Sequence, residues 1–195
     1  MYKSLLIIVL ILLPFSVFSQ EKLVYDVTIA GISIGEMVAT KKTDGDKTSY
    51  EINSSVSFWF FGKINLDFNT KAYFTGKQFM RSDVNSKTNK GNFFTKINWD
   101  KDHYNVQARN YKHEMDTVIR KPMYYSSAAF FFVEPKQVRE FIPEAVGLPT
   151  TITKGKDYYE VTVNGNKNRY YYSEGIMTRA VMEFPIKNYV LKLKQ

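Results

Sequence analysis

Ser126-Ser127-Ala128-Ala129-Phe130-Phe131-Phe132-Val133-Glu134-Pro135 is the one apolar run after the N-terminal leader that does not read as a β-strand. Ser126 or Ser127 can cap a short helix, the two alanines favour one, and Pro135 stops it, because proline disfavours the helical region for the residue before it. Only a turn or two fits between cap and proline. Three consecutive phenylalanines cannot share one side of so short a helix. They are therefore expected to touch different apolar surfaces, such as the inner wall of a curved sheet and a flanking loop. The segment is expected to plug or rim that sheet.

Outward from this run, the chain reads as hairpins in both directions. Toward the N-terminus, Leu23, Tyr25, Val27 and Ile29 alternate with polar residues up to a turn at Ala30-Gly31. Gly35 sits within the next strand, where glycine marks a bulge or bend. Tyr50, Ile52, Ser54, Val56, Phe58 and Phe60 line one face of a long strand, and Ile64 to Phe74 alternate most regularly of all. A weaker strand near Phe79 to Val84 follows, then Phe94 to Trp99 and Tyr104 to Tyr111, while Met115 to Ile119 suits either a strand or an exit loop. Toward the C-terminus, Lys136 to Gly147 carries Val138, Phe141 and Ile142 at helical spacing until Pro143 breaks the pattern. Strands then resume between Thr150 and Leu193, with Asn164-Gly165 the strongest hairpin signal. The expected fold is all-β and mainly antiparallel. It is a single curved sheet forming a barrel or half-barrel of roughly ten to twelve strands, because open twisted sheets seldom stay flat at that size. One or two short helical segments are expected around 126–147.

Residues Met1 to Ser19 read as a cleaved export signal: Lys3 supplies the positive start, Leu5 to Phe18 the apolar stretch, and Val17 and Ser19 suit the small-residue cleavage positions. A periplasmic or secreted protein follows, with residues 20–195 as one domain. There is no cysteine, so neither a lipid anchor on cysteine nor a disulfide is expected. The net charge of +8 is spread along strands, where lysines alternate with apolar residues as in Leu191-Lys192-Leu193-Lys194. That is the pattern of a solvated sheet face. With no basic run and no nucleic-acid module, nucleic acid is not an expected partner. Peripheral contact with the cell envelope suits a basic exported protein.

Catalytic patterns are missing. The two histidines, His103 and His113, lack the close-spaced partners that a metal or a proton transfer needs. Asp100 and Asp102 beside His103 suit an ordinary turn, and Asp26 with Glu36 suits the outer face of a hairpin. No nucleophile elbow, phosphate loop or cofactor fingerprint occurs, so neither an enzyme nor a cofactor is expected. Two aromatic clusters remain, Phe58-Trp59-Phe60-Phe61 and Phe130-Phe131-Phe132. Together with Glu134, which should be paired or exposed at a rim, they form the candidate ligand-binding set. The expected role is to bind an apolar or amphiphilic, lipid-like ligand. The alternative is an envelope structural or assembly factor acting through surface contacts, with Phe58 to Phe61 as an exposed patch.

Three stretches resemble an uncharacterised family of exported β-rich proteins of Gram-negative bacteria, a domain-of-unknown-function family. They are Tyr25-Asp26-Val27 with Gly31-Ile32 and Ile34-Gly35-Glu36; Ser127 with Phe130-Phe131-Phe132 and Glu134-Pro135; and Tyr159-Glu160-Val161 with Asn168, Tyr170 and Tyr172-Ser173-Glu174-Gly175. The resemblance implies a barrel-like or half-barrel antiparallel sheet, similar in outline to periplasmic lipoprotein carriers and lipocalins. It implies no established activity and no functional residues. The lipobox cysteine of related lipid-anchored proteins is absent.

Overall fold

Alternation becomes strand pairing throughout the computed structural model, which describes residues 18–59, 63–89, 91–110, 113–183 and 187–194. The expected leader up to residue 17, Phe60, Phe61 and the side chain of Phe58 lie outside the described residues. Eight strands come before the organising segment: β1 (Phe18–Ile29), β2 (Ile32–Asp44), β3 (Lys47–Trp59), β4 (Lys63–Thr75), β5 (Gln78–Thr88), β6 (Gly91–Asp100), β7 (His103–Asn110) and β8 (His113–Ile119). Six come after it: β9 (Glu140–Phe141), β10 (Thr150–Lys154), β11 (Tyr159–Val163), β12 (Asn166–Ser173), β13 (Ile176–Met182) and β14 (Tyr189–Leu193). The two meanders join where β14 pairs antiparallel with β1, placing Leu193 opposite Tyr25 and Tyr189 opposite Ile29. The first described strand is thus central, and β8 and β9 are the edges of one sheet that is open among the described residues.

Among the described residues the sheet has fourteen strands and is not closed, which corrects the expected ten to twelve. Part of the excess comes from the region read as a helix. Between Lys136 and Gly147 the chain forms β9, with Phe141 opposite Thr150 and Glu140 opposite Thr151. Ile142 then makes a parallel bridge to Ser126. Three apolar residues at helical spacing could not outweigh Pro143 and the partners that tertiary contact supplied to this backbone. The expected choice at Met115 to Ile119 resolves as strand β8.

Register assigns the faces. Ala39, Ile52, Thr70, Val84, Thr95 and Ala108 stand opposite one another across β2 to β7, and all are buried. One residue along, Thr40, Glu51, Lys71, Asp83, Lys96 and Gln107 form the outward row, where alternating charges face across strands and Lys71 lies 3.6 Å from Glu51. A one-residue slip would exchange these rows, so burial pins the register.

Curvature enters at the β1–β2 bulge, where the register shifts between Val27 and Thr28 opposite Gly35 and Ser33. Gly35 has φ +152°, and a Cβ there would lie 2.3 Å from the Ser55 carbonyl oxygen. Gly35→Ala is expected to destabilise the protein by about 1–3 kcal/mol. Urea unfolding should show a lower midpoint at unchanged slope.

Candidate functional site

The segment from Arg120 to Arg139 leaves β8 at one edge and reaches β9 at the other by crossing the concave face. It is tied down as it goes. Phe79 N donates to Met123 O at 2.8 Å, and Met123 N donates to the Tyr104 hydroxyl at 3.0 Å. Ile142 N then bonds to Tyr125 O at 3.0 Å. A single 3-10 turn follows at Ser127–Phe131.

The expected serine cap does not form. Ser126 is extended, with φ −141° and ψ 169°, and makes no side-chain capping bond. The carboxylate of Glu144 caps the turn instead, with Oε2 accepting from Ser127 N at 2.8 Å and Oε1 from Ala128 N at 3.0 Å. Glu144 is 1% exposed. Burial raises its carboxyl above the ordinary glutamate value, while the polar contacts from Ser126, Ala128 and Ser127 oppose the rise. The cap comes from a residue that only the fold brings near.

The three phenylalanines divide among the walls, as their crowding required. Phe130, fully buried, stacks on Tyr170 of β12 at 4.3 Å and meets Phe141 and Tyr125 edge-on at 5.0 Å each. Phe131 meets Tyr25 of β1 edge-on at 5.3 Å, and Phe132 lies 5.8 Å from Tyr50 of β3. Burial, and after it the Glu21 carboxylate, pushes Tyr50 up to about 12. Tyrosine hydroxyls serve the backbone of the plug: Tyr172 donates to Phe130 O at 2.9 Å, and Tyr125 donates to Val133 O. Glu134 is partly buried and paired, accepting from the Tyr159 hydroxyl at 2.9 Å with Lys136 Nζ at 3.5 Å. Glu144 and the tyrosine tethers escaped the sequence reading. The only signal for Glu144 was its place directly after Phe141-Ile142-Pro143.

Beyond the plug, toward the Trp59 end of β3, burial falls off. The inward row Met37, Ser54, Phe68, Ser86 and Phe93 is only half-buried, whereas the Ile52 row beside it is buried. Four of the five, Ser54, Phe68, Ser86 and Phe93 but not Met37, line an open groove of about 870 Å³, together with polar neighbours such as Asn53, Asp67, Asn69 and Lys87. Apart from Gly35, every lining residue belongs to the row or is a chain neighbour of one of its members. Volumes of about 300–1,000 Å³ are typical of small-molecule sites. Trp59 does not join this surface: by alternation it points to the outward face, and it is 78% exposed. Trp59, the one member of its cluster whose side chain is described, is therefore not brought to the Phe130 to Phe132 run.

The polar candidates disperse. His103 Nδ1 lies 2.8 Å from Asp102 Oδ1 at an exposed turn. Asp26 stands opposite Glu36, but Asp26 accepts from the Ser33 hydroxyl at 2.5 Å and Glu36 pairs with Lys194. Among the described residues no group of three or more His, Cys, Asp or Glu is placed to hold a metal ion.

A profile of a domain of unknown function, DUF6134, matches residues 25–194, from the tyrosine under the plug to the lysine that follows β14. The chain belongs to the DUF6134 family. Its membership of an uncharacterised β-rich family, expected from the three short stretches, is thereby established. No curated protein matches this DUF6134 chain. Among solved structures it is similar to a beta-barrel-like protein of the domain of unknown function DUF1849 from Brucella abortus. That likeness has a TM-score of 0.56 at 12% identity and covers 92% of this chain and 97% of the other. It is a likeness of fold.

Proposed function

We propose that this DUF6134 protein is a periplasmic or secreted binding protein that holds an apolar or amphiphilic, lipid-like ligand in the half-filled end of its half-barrel. The supporting observation is that Ser54, Phe68, Ser86 and Phe93, which continue the inward row past the plug, keep partial exposure and line a groove of about 870 Å³. Apolar rings beside serine hydroxyls suit a chain with a polar head, because ligand sites combine apolar walls with a few polar groups that set orientation. The role is non-catalytic: binding needs only this surface. The plug segment acts as the floor of the site.

Native mass spectrometry of the purified protein, with organic extraction of whatever leaves it, tests the reading. The expected result is a reproducible adduct that Phe68→Asp removes while the unfolding midpoint stays within experimental scatter. Phe68 is the better probe than Phe131, which packs on Tyr25 and is itself core. A clean ligand-free mass across preparations sinks the carrier reading and favours an envelope assembly factor.

A further inference from the structure

One inward row of the sheet ends on a charge. Val27, Leu191, Ala180, Tyr170 and Tyr159 stand opposite one another from β1 through β14 to β11, and all five are buried. The next member of that row is Lys154 of β10, opposite Tyr159. Register therefore places a lysine on the face that the rest of the row uses for packing. Ile152, opposite the buried Val161, shares that face. The chain leaving the plug closes over this corner, and Ile152 N donates to Arg139 O at 2.8 Å. Lys136, Val138 and Arg139 on one side, with Ile152, Lys154 and Tyr159 on the other, line a pocket of about 350 Å³.

The charges of this pocket do not balance. Lys136 Nζ lies 3.5 Å from Glu134 Oε2, while Glu134 Oε1 accepts from the Tyr159 hydroxyl. Arg139 and Lys154 are exposed and make no ion pair among the described residues. The nearby acids are taken: Glu140 pairs with Lys121, and Glu160 pairs with Arg169. The β10–β11 turn adds one charge of each sign, Lys156 and Asp157. Two positive charges on the lining are left without a counterpart.

We propose that this pocket binds a phosphate monoester. The two uncompensated cations match the charge of about −1.5 to −2 that such a group carries near neutral pH. A carboxylate would leave one of them unmatched. The Arg139 guanidinium offers a fork for two phosphate oxygens, and the Lys154 ammonium supplies a point charge beside it. Val138 and Ile152 give an apolar wall for the rest of the molecule, and about 350 Å³ lies at the small end of the range for ligand sites. The pocket shares no lining residue with the groove along Phe68 and Phe93, so the inference does not rest on the ligand reading.

Isothermal titration of the purified protein tests the inference. Glycerol phosphate presents the group on a free small molecule, and dihexanoyl phosphatidic acid presents it on a lipid. Saturable binding of at least one is expected, and the tighter of the two names the source. Arg139→Gln and Lys154→Met should each weaken that binding by about tenfold or more, the loss expected for a contact to a charged group. Lys192→Met removes an exposed lysine from the opposite face of β14 and should bind as the parent does. The altered side chains are exposed, so an unchanged unfolding midpoint separates a lost site from a lost fold. Absence of saturable binding of both probes up to millimolar concentration overturns the proposal. So does equal weakening by Lys154→Met and Lys192→Met, which would mean diffuse attraction to a basic protein. Neither result bears on whether Phe68→Asp removes an adduct seen by mass spectrometry.

Discussion

Replacing Phe130 by alanine is expected to lower the unfolding free energy by about 3–5 kcal/mol, the range for large aromatic truncations in a well-packed core. Three rings close on it from different parts of the chain: Tyr170 in a stack, Phe141 and Tyr125 edge-on. None of them can follow a shrinking side chain without leaving its own partner. Phe141 is held in β9, and Tyr125 is tied to Val133 and Ile142. The cavity therefore stays open, and the cost lies toward the upper part of the range. Chemical denaturation of the two proteins at one pH measures it. A loss below about 1 kcal/mol would mean that the plug is not part of the cooperative core.

Glu144 carries the second large effect. Glu144→Ala leaves the Ala128 amide buried without an acceptor, at about 1–3 kcal/mol, and leaves the Ser127 amide only its longer bond to Ile142 O at 3.3 Å. Glu144→Gln keeps one acceptor oxygen and removes the charge, so it should cost less than alanine. The pH dependence has a definite sign. The folded carboxyl titrates above its unfolded value because burial disfavours the charge. Below the unfolded value both states are protonated and the group is neutral to stability. As pH rises past that value the unfolded chain ionises first, so folding loses stability until the folded carboxyl ionises as well. Unfolding midpoints of the parent, followed upward from about pH 4.5, should therefore contain a falling contribution that Glu144→Gln lacks. Parallel profiles for the two proteins would show that Glu144 is ionised equally easily in both states.

Much of this protein could be read from residue order alone. Period-two alternation is a local property, so Tyr25, Ile52, Thr70 and Val84 marked strands before any partner was known, but with Tyr and Thr on both faces only burial in the folded sheet showed which face is inward. Gly35 marked the bulge, and Asn164-Gly165 the hairpin. The Phe130 to Phe132 run showed that something must cross the sheet, because three adjacent rings need more than one wall. The candidate site was legible only in part. Glu134, expected to be paired or exposed, is paired with Tyr159, but Trp59 points outward and the groove is lined by Phe68, which had read as an ordinary strand residue, and by Phe93, which had read as lying between a turn and a strand. Strand alternation assigns a residue to a face without saying how far along that face a plug extends.

The residue order by itself determined the all-β class, the meandering hairpins, and the break in the pattern between Ser126 and Pro135, since each rests on backbone preferences and side-chain periods within a few residues. Only the tertiary structure decided that β1 pairs with β14, that the sheet stays open with β8 and β9 at its edges, and that Glu144 rather than a serine caps the plug. These depend on which distant surfaces bury one another. A strand edge or a buried amide accepts any partner of suitable geometry, and its choice is made by the packing of the whole sheet.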